Sequence, residues 1–207
     1  MPKVTASQGD SIPSLATENG FFWETIWNHP ENAQLKAKRK TPNQLMPGDE
    51  VFIPELRIKR VSKGTDGKYK FKRKGVPARL KIQFKLLGEP RANEPYVLDI
   101  DGTTVKGTLD GNGVLDQFIP PNAKGGKVMF NGGKEVIPIR IGHLNPVDET
   151  SGIQQRLNNL GFACGSEDGE LDDATRAALR AFQEAHGLNP TGEPDAATKG
   201  KLSELHP

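Results

Sequence analysis

Gly152-Ile153-Gln154-Gln155-Arg156-Leu157-Asn158-Asn159-Leu160-Gly161-Phe162 opens the stretch that decides how the end of this chain folds. It runs on through Asp168-Gly169-Glu170-Leu171-Asp172-Asp173-Ala174-Thr175-Arg176-Ala177-Ala178-Leu179-Arg180-Ala181-Phe182-Gln183 and then Gly187-Leu188-Asn189-Pro190-Thr191-Gly192. Ile153, Leu157 and Leu160 recur at helical spacing, and Gly161 is placed to stop that helix. Asp172 or Asp173 can cap a second helix, with Ala174, Ala178, Ala181, Phe182 and Ala185 on its inner face and Gly187 as its stop. Asp195 can cap a third helix that turns Leu202 and Leu205 inward. Small alanine faces let helices approach closely, so the stretch predicts a compact three-helix bundle around Phe182.

This run resembles the small peptidoglycan-binding domain found beside many cell-wall hydrolases. The elements that carry the resemblance are Ile153-Gln154-Gln155-Arg156-Leu157, Leu160-Gly161, Asp168-Gly169, Thr175 to Gln183, Gly187-Leu188 and Thr191-Gly192. Glu170-Leu171-Asp172-Asp173 departs from the family, which more often has an aromatic and a glycine there. The resemblance implies wall binding in a groove near Asp168, Gly169, Phe182 and Gln183. Phe182 also reads as core, which leaves Gln183 as the better contact.

Working outward, 207 residues leave room for two or three small domains, and 34% hydrophobic content with 23 Gly and 16 Pro favours several small modules over one large core. Residues 148–207 hold five Lys/Arg against eleven Asp/Glu, a net charge of about −6, so the rest of the chain carries about +8. That split reads either as independent domain surfaces or as an N-terminal part drawn to anionic wall polymer. The start, Met1 to Gln8, has no apolar signal-peptide core, and no stretch reaches transmembrane length. The expectation is a chain made in the cytoplasm, without membrane insertion, that reaches a wall by lysis, by phage or through a secretion machine.

Residues 1–55 read as a β-α-α-β unit: a strand at Val4 to Ser7, a helix capped by Ser11 with Pro13 in its first turn, a short helix over Trp23, Ile26 and Trp27, and a strand over Glu50 to Pro54. Gln8-Gly9-Asp10-Ser11-Ile12, Leu15-Ala16, Trp27-Asn28 and Leu45-Met46-Pro47-Gly48-Asp49-Glu50-Val51-Phe52-Ile53-Pro54 resemble a LysM domain. The resemblance implies an N-acetylglucosamine groove between two loops, holding Gly9, Asp10, Ser11 and Ile12 on one side and Gln44, Leu45, Met46 and Pro47 on the other. Asn28 to Leu35 and Lys38-Arg39 replace the family's short connection. This variant is similar to units encoded with contractile tails and type VI secretion spikes, where docking can replace sugar binding. Trp23 and Trp27, four apart, are either a sugar-stacking platform or core.

Residues 56–76 are a basic linker. Nine Lys/Arg and one acid lie between 57 and 74, and alternation around Asp66-Gly67 predicts a β-hairpin with one charged face. Tyr69 and Phe71 among lysines fit a solvated hairpin, an anionic partner or single-stranded nucleic acid; the first is the plainest, and no nucleic-acid partner is expected. Residues 77–145 alternate through six short strands, 80–86, 96–100, 103–109, 114–119, 127–130 and 136–141, which predicts a small β-sandwich. Gly88-Glu89-Pro90, Pro95 to Leu98 and Gly107 to Gly113 resemble transthyretin-like or immunoglobulin-like sandwiches of secretion-spike proteins. The fold class is therefore multidomain α+β.

No catalytic set emerges. The histidines are His29, His143, His186 and His206, spread over separate modules without zinc-ligand spacing. Cys164 has no histidine near it in sequence and reads as buried filler. Asp110, Asn112 and Asp116 lack the later bidentate Glu of a calcium loop and read as a turn. No cofactor or metal is expected. The order of modules resembles peptidoglycan-binding proteins encoded beside type VI spike and toxin genes. It implies a non-catalytic wall-targeting protein with peptidoglycan and a toxin effector or secretion spike as partners. A structural adaptor docking toxin or spike is the other reading, and a targeting subunit for a separate hydrolase a third.

Overall fold

The computed structural model describes residues 3–56, 62, 64, 65, 67–70 and 78–206. Most of the basic hairpin expected between 57 and 74 therefore lies outside the described residues. Mixed helix and sheet build three clusters of buried side chains in chain order.

The first cluster closes under strand β1 (Lys3–Thr5), helices α1 (Ile12–Glu18) and α2 (Trp23–Trp27), a 3-10 turn (Pro30–Asn32), helix α3 (Ala33–Arg39) and strand β2 (Glu50–Phe52). The third helix was not expected. It occupies the segment where the chain departs from the LysM pattern. β1 and β2 pair antiparallel with Val4 opposite Val51. Ser11 and Ser14 form a reciprocal capping box that starts α1. Ile12, Leu15, Ile26, Trp27, Leu35 and Val51 fill the core, and Trp23 packs partly buried against it. Two buried polar groups hold the unit together. The Asn32 amide donates to the carbonyls of Ile26 and Phe52 and accepts from the Phe52 N–H. Arg39 makes a two-pronged bond to Asp49 at 2.6 and 2.8 Å, both side chains being buried. Burial on its own pushes the Asp49 carboxyl up, yet the Arg39 bond, the Met46 N–H and nearby Lys38 bring it below the usual value.

The second cluster is all β: β3 (Ala78–Gln83), β4 (Lys85–Leu86), β5 (Glu89–Pro90), β6 (Pro95–Ile100), β7 (Thr103–Thr108), β8 (Val114–Ile119), β9 (Gly125–Phe130) and β10 (Glu135–Arg140). A four-stranded antiparallel sheet in the order β10-β9-β6-β7 shares its core with the β3–β8 pair. Strand alternation decides the inner face: Tyr96, Leu98 and Ile100 are buried while their neighbours are not. Leu98 lies opposite Val128. Arg91 lies over the Phe130 ring at 4.0 Å and is held by Glu94 and Glu135. The Asp110 carboxylate accepts the N–H groups of Asn112 and Val114, which makes this loop an Asx turn.

The third cluster lies among α4 (Thr150–Asn159), α5 (Asp173–Ala185) and α6 (Ala196–Leu205). Asp172 caps α5 and Asp195 caps α6, each accepting the N–H three residues on. The buried face of α5 differs from the expected alanine face. Thr175, Ala178, Leu179, Phe182 and Gln183 are buried, whereas Ala174, Ala181 and Ala185 are exposed. The observed set follows the i, i+3, i+4, i+7, i+8 stripe, which carries more apolar volume than the alanines do. Leu205 is 40% exposed rather than turned inward. This unit's contacts begin at Asn145: the Gln155 side chain accepts the Asn145 N–H, and Gly152 packs against the Pro146 carbonyl with no room for a Cβ.

Candidate functional site

The two loops expected to line a sugar groove are largely committed to the protein itself. Ile12 and Leu45 are core. Ser11 spends its hydroxyl capping α1. Met46 is half-buried, its N–H donating to Asp49, and of the eight expected residues only Pro47 is exposed. The first loop is also covered. Lys124, just before β9, reaches the Asp10 carboxylate at 2.5 Å and the Gly9 carbonyl at 3.4 Å. The Gln8 side chain donates to the His143 carbonyl at 3.3 Å. A Cβ on Gly9 would meet the His143 ring at 2.9 Å, and one on Gly142 would sit 2.5 Å from the Gly9 carbonyl oxygen. Both positions have positive φ, so glycine satisfies the turn and the close approach together. On the other loop, Gln44 is half-buried and lines a cavity shared with the third unit.

In the third unit the structure brings Asp168, Gly169 and Gln154 together, and separately Gln183 and Gly192. Gln154 is wholly buried: its side-chain oxygen accepts the Gly169 N–H at 2.8 Å, and its amide donates to the Glu170 carbonyl, Thr175 hydroxyl and Asp168 carboxylate. Gln183, also 0% exposed, repeats the arrangement. Its oxygen accepts the Gly192 N–H at 2.9 Å, and its amide donates to the Glu193 carbonyl and the Thr198 and Thr191 hydroxyls. Each glutamine thus clips the Gly-Glu loop that leads into the next helix, and each loop ends on an Asp cap whose third residue on is the clipped threonine. The sequence carries this as an imperfect repeat, Asp168-Gly169-Glu170-Leu171-Asp172-Asp173-Ala174-Thr175 against Thr191-Gly192-Glu193-Pro194-Asp195-Ala196-Ala197-Thr198. The repeat is visible in the sequence alone.

Gln183 and Phe182 are therefore interior. Asp168 is exposed, and its carboxyl is held below the usual range by the Ser166 hydroxyl, the Glu170 N–H and the Gln154 amide. Asp172 and Asp195 are lowered in the same way by their bonds to Thr175 and Thr198. These loops stay anionic at neutral pH and offer carboxylate acceptors. Beside them Phe162 and His186, both half-buried, pack around Phe182 with ring centroids 5.3 and 4.5 Å away. Burial, with Lys201 nearby, holds the His186 imidazole below its usual value, so it is neutral at pH 7. In sequence His186 stands as an isolated histidine; its place in an aromatic shelf is a tertiary feature.

The Cys164 thiol is buried, donates to the Gln154 carbonyl and the Asn158 side chain, and is pushed up by burial, the opposite of an activated thiolate. Among the described residues no group of three His, Cys, Asp or Glu could hold a metal, and no helix is long and apolar enough to cross a membrane.

Residues 147–202 match the putative peptidoglycan binding domain. The match covers the clipped loops, their capped helices and Phe162, and it supports binding to cell-wall peptidoglycan. The chain is also similar to the localization factor PodJL of Caulobacter vibrioides, 45% identical over 53 residues in both strain NA1000 / CB15N and strain ATCC 19089 / CIP 103742 / CB 15. That similarity covers 25% of this chain and 5% of the relative.

Proposed function

We propose that the protein is a non-catalytic wall-targeting protein. Its third unit grips peptidoglycan, and its first two units connect that grip to a toxin effector or secretion spike. The observation that carries the reading is the peptidoglycan-binding family match over 147–202, which falls on a unit with its own closed core. The Asp168–Glu170 loop and the Phe162–His186 shelf are the surfaces offered to the wall; Gln154 and Gln183 keep the loops in shape. Delivery by a secretion machine remains part of this reading and rests on the resemblance of the module order.

Co-sedimentation with purified sacculi tests it, comparing the full chain with residues 1–143 and 144–207 and following turbidity in the same tubes. The expected result is that the full chain and 144–207 pellet with sacculi while turbidity holds. Failure of both to pellet overturns wall binding, and falling turbidity would reveal an enzyme.

The adaptor reading has one observation in its favour. The Gly9–Asp10 loop is packed against Lys124, Gly142 and His143, so the expected sugar groove is engaged within the chain. In that case the first unit serves as a bracket for its neighbours, with wall binding left to the third.

A further inference from the structure

Between the first and third units lies a cavity of about 220 Å³, walled by Lys40, Thr41 and Gln44 on one side and Val147, Arg156 and Ser203 on the other. We propose that it binds a small carboxylate, either a free short acid or the carboxylate end of a short peptide, held on the Arg156 guanidinium.

Arg156 is only 1% exposed, the largest fully buried side chain described. Its Nε donates to the His206 carbonyl, and its Nη1 to the carbonyls of Asn145 and Gly152. Nη2 makes no hydrogen bond among the described residues, and no acid among them lies within ion-pair distance of Arg156. The other cations on the cavity wall are already matched: Lys38 and Arg39 to Asp49, and Lys40 to Asp148 at 3.0 Å. A buried charge without a counter-ion is costly, and carbonyl dipoles replace only part of the lost hydration. Desolvation brings the guanidinium pKa down to about 10.

Geometry selects the class of ligand. Guanidinium favours a planar two-oxygen partner. The rest of the wall offers aliphatic surface from Pro146 and Val147, hydroxyls from Thr41 and Ser203, and the Asp148 carboxylate, whose charge is matched by Lys40; the aliphatic part suits a short aliphatic body. Both units contribute walls, so occupancy also strengthens their contact, which otherwise rests on ion pairs such as Lys40–Asp148 and Arg39–Glu149.

The test is an NMR titration of the full chain with acetate, D-alanine and D-alanyl-D-alanine, with acetamide as the neutral control. Saturable shifts are expected at the amides of Thr41, Val147, Arg156 and Ser203, with a Kd of about 1 mM or tighter for at least one acid. If acetate or D-alanine binds as well as the dipeptide, the source is a free acid; if the dipeptide alone binds, it is a peptide end. Arg156→Leu strands three carbonyls and can unfold the unit, so Ser203→Trp is the informative variant because it fills the cavity without touching those bonds. It should weaken binding at least about tenfold with an unchanged melting temperature. Unsaturable shifts, equal shifts with acetamide, shifts away from the cavity, or full binding by Ser203→Trp each overturn the proposal. Sacculus pelleting is scored separately, so loss of the cavity reading leaves the wall reading untouched.

Discussion

Replacing Gln183 by Leu separates a buried clip from a ligand contact. The substitution keeps volume close to constant but strands the Gly192 N–H, the Glu193 carbonyl and the Thr198 hydroxyl. Glu193 and Thr191 are exposed, so water can replace their bonds. Gly192 and Thr198 are buried and cannot recruit it. Two stranded buried groups at about 1–3 kcal/mol each give a loss of about 2–6 kcal/mol. A unit of this size has about 3–9 kcal/mol in total at ordinary stability per residue, so Gln183→Leu should leave it marginal. Urea unfolding of residues 144–207, followed by circular dichroism, measures the loss. Hydrogen exchange at the Gly192 amide locates it, because that proton loses its acceptor. A loss below about 1 kcal/mol with Gly192 still protected would refute the clip. So would a fully stable variant that no longer pellets with sacculi, the behaviour of a surface contact.

Arg39→Ala leaves Asp49 buried without its main partner and should cost the first unit about 3–5 kcal/mol by denaturant melting. In the native protein the Asp49 carboxyl sits below its unfolded value. Its contribution is therefore full above about pH 4 and is lost as pH falls through the lower folded value. The penalty of the variant should shrink in acid instead, since a protonated Asp49 no longer needs a cation; an equal penalty at pH 3 and pH 7 would contradict this. Lys124→Glu places two acids together at the Gly9–Asp10 loop. It should cost about 1 kcal/mol or less in global stability yet speed exchange at the Gly9 and Asp10 amides, and unchanged exchange would mean that the contact does not hold the loop. Cys164 should resist iodoacetamide at pH 8 in the native protein and react once urea unfolds the third unit; rapid native alkylation would refute its burial.

What could be read directly from sequence was local. Asp172 and Asp195 cap their helices through N–H groups three residues on, and such bonds need no distant partner. Strand alternation around Tyr96, Leu98 and Ile100 likewise announces which side chains face inward. The third helix at Ala33–Arg39 was less legible because its charged sequence, Lys36-Ala37-Lys38-Arg39, hides the anchor that Leu35 and Arg39 make inside the fold. Orientation of α5 and the fate of the glutamines depended on tertiary structure. A Gln in a helix reads as a surface residue until a loop supplied by distant sequence folds over it and takes its four hydrogen bonds. The same holds between units. Gly9 and Asp10 look like an open loop in sequence, and only the placement of Lys124 and His143, more than a hundred residues on, closes it. Arg156, ordinary in a polar helix, becomes a buried charge with no ion-pair partner among the described residues only because Asn145, Gly152 and His206 converge on it. Local hydrogen bonding and periodicity act within a few residues and are written in sequence; burial of a polar group depends on which distant segment covers it, and that is decided by the packed fold.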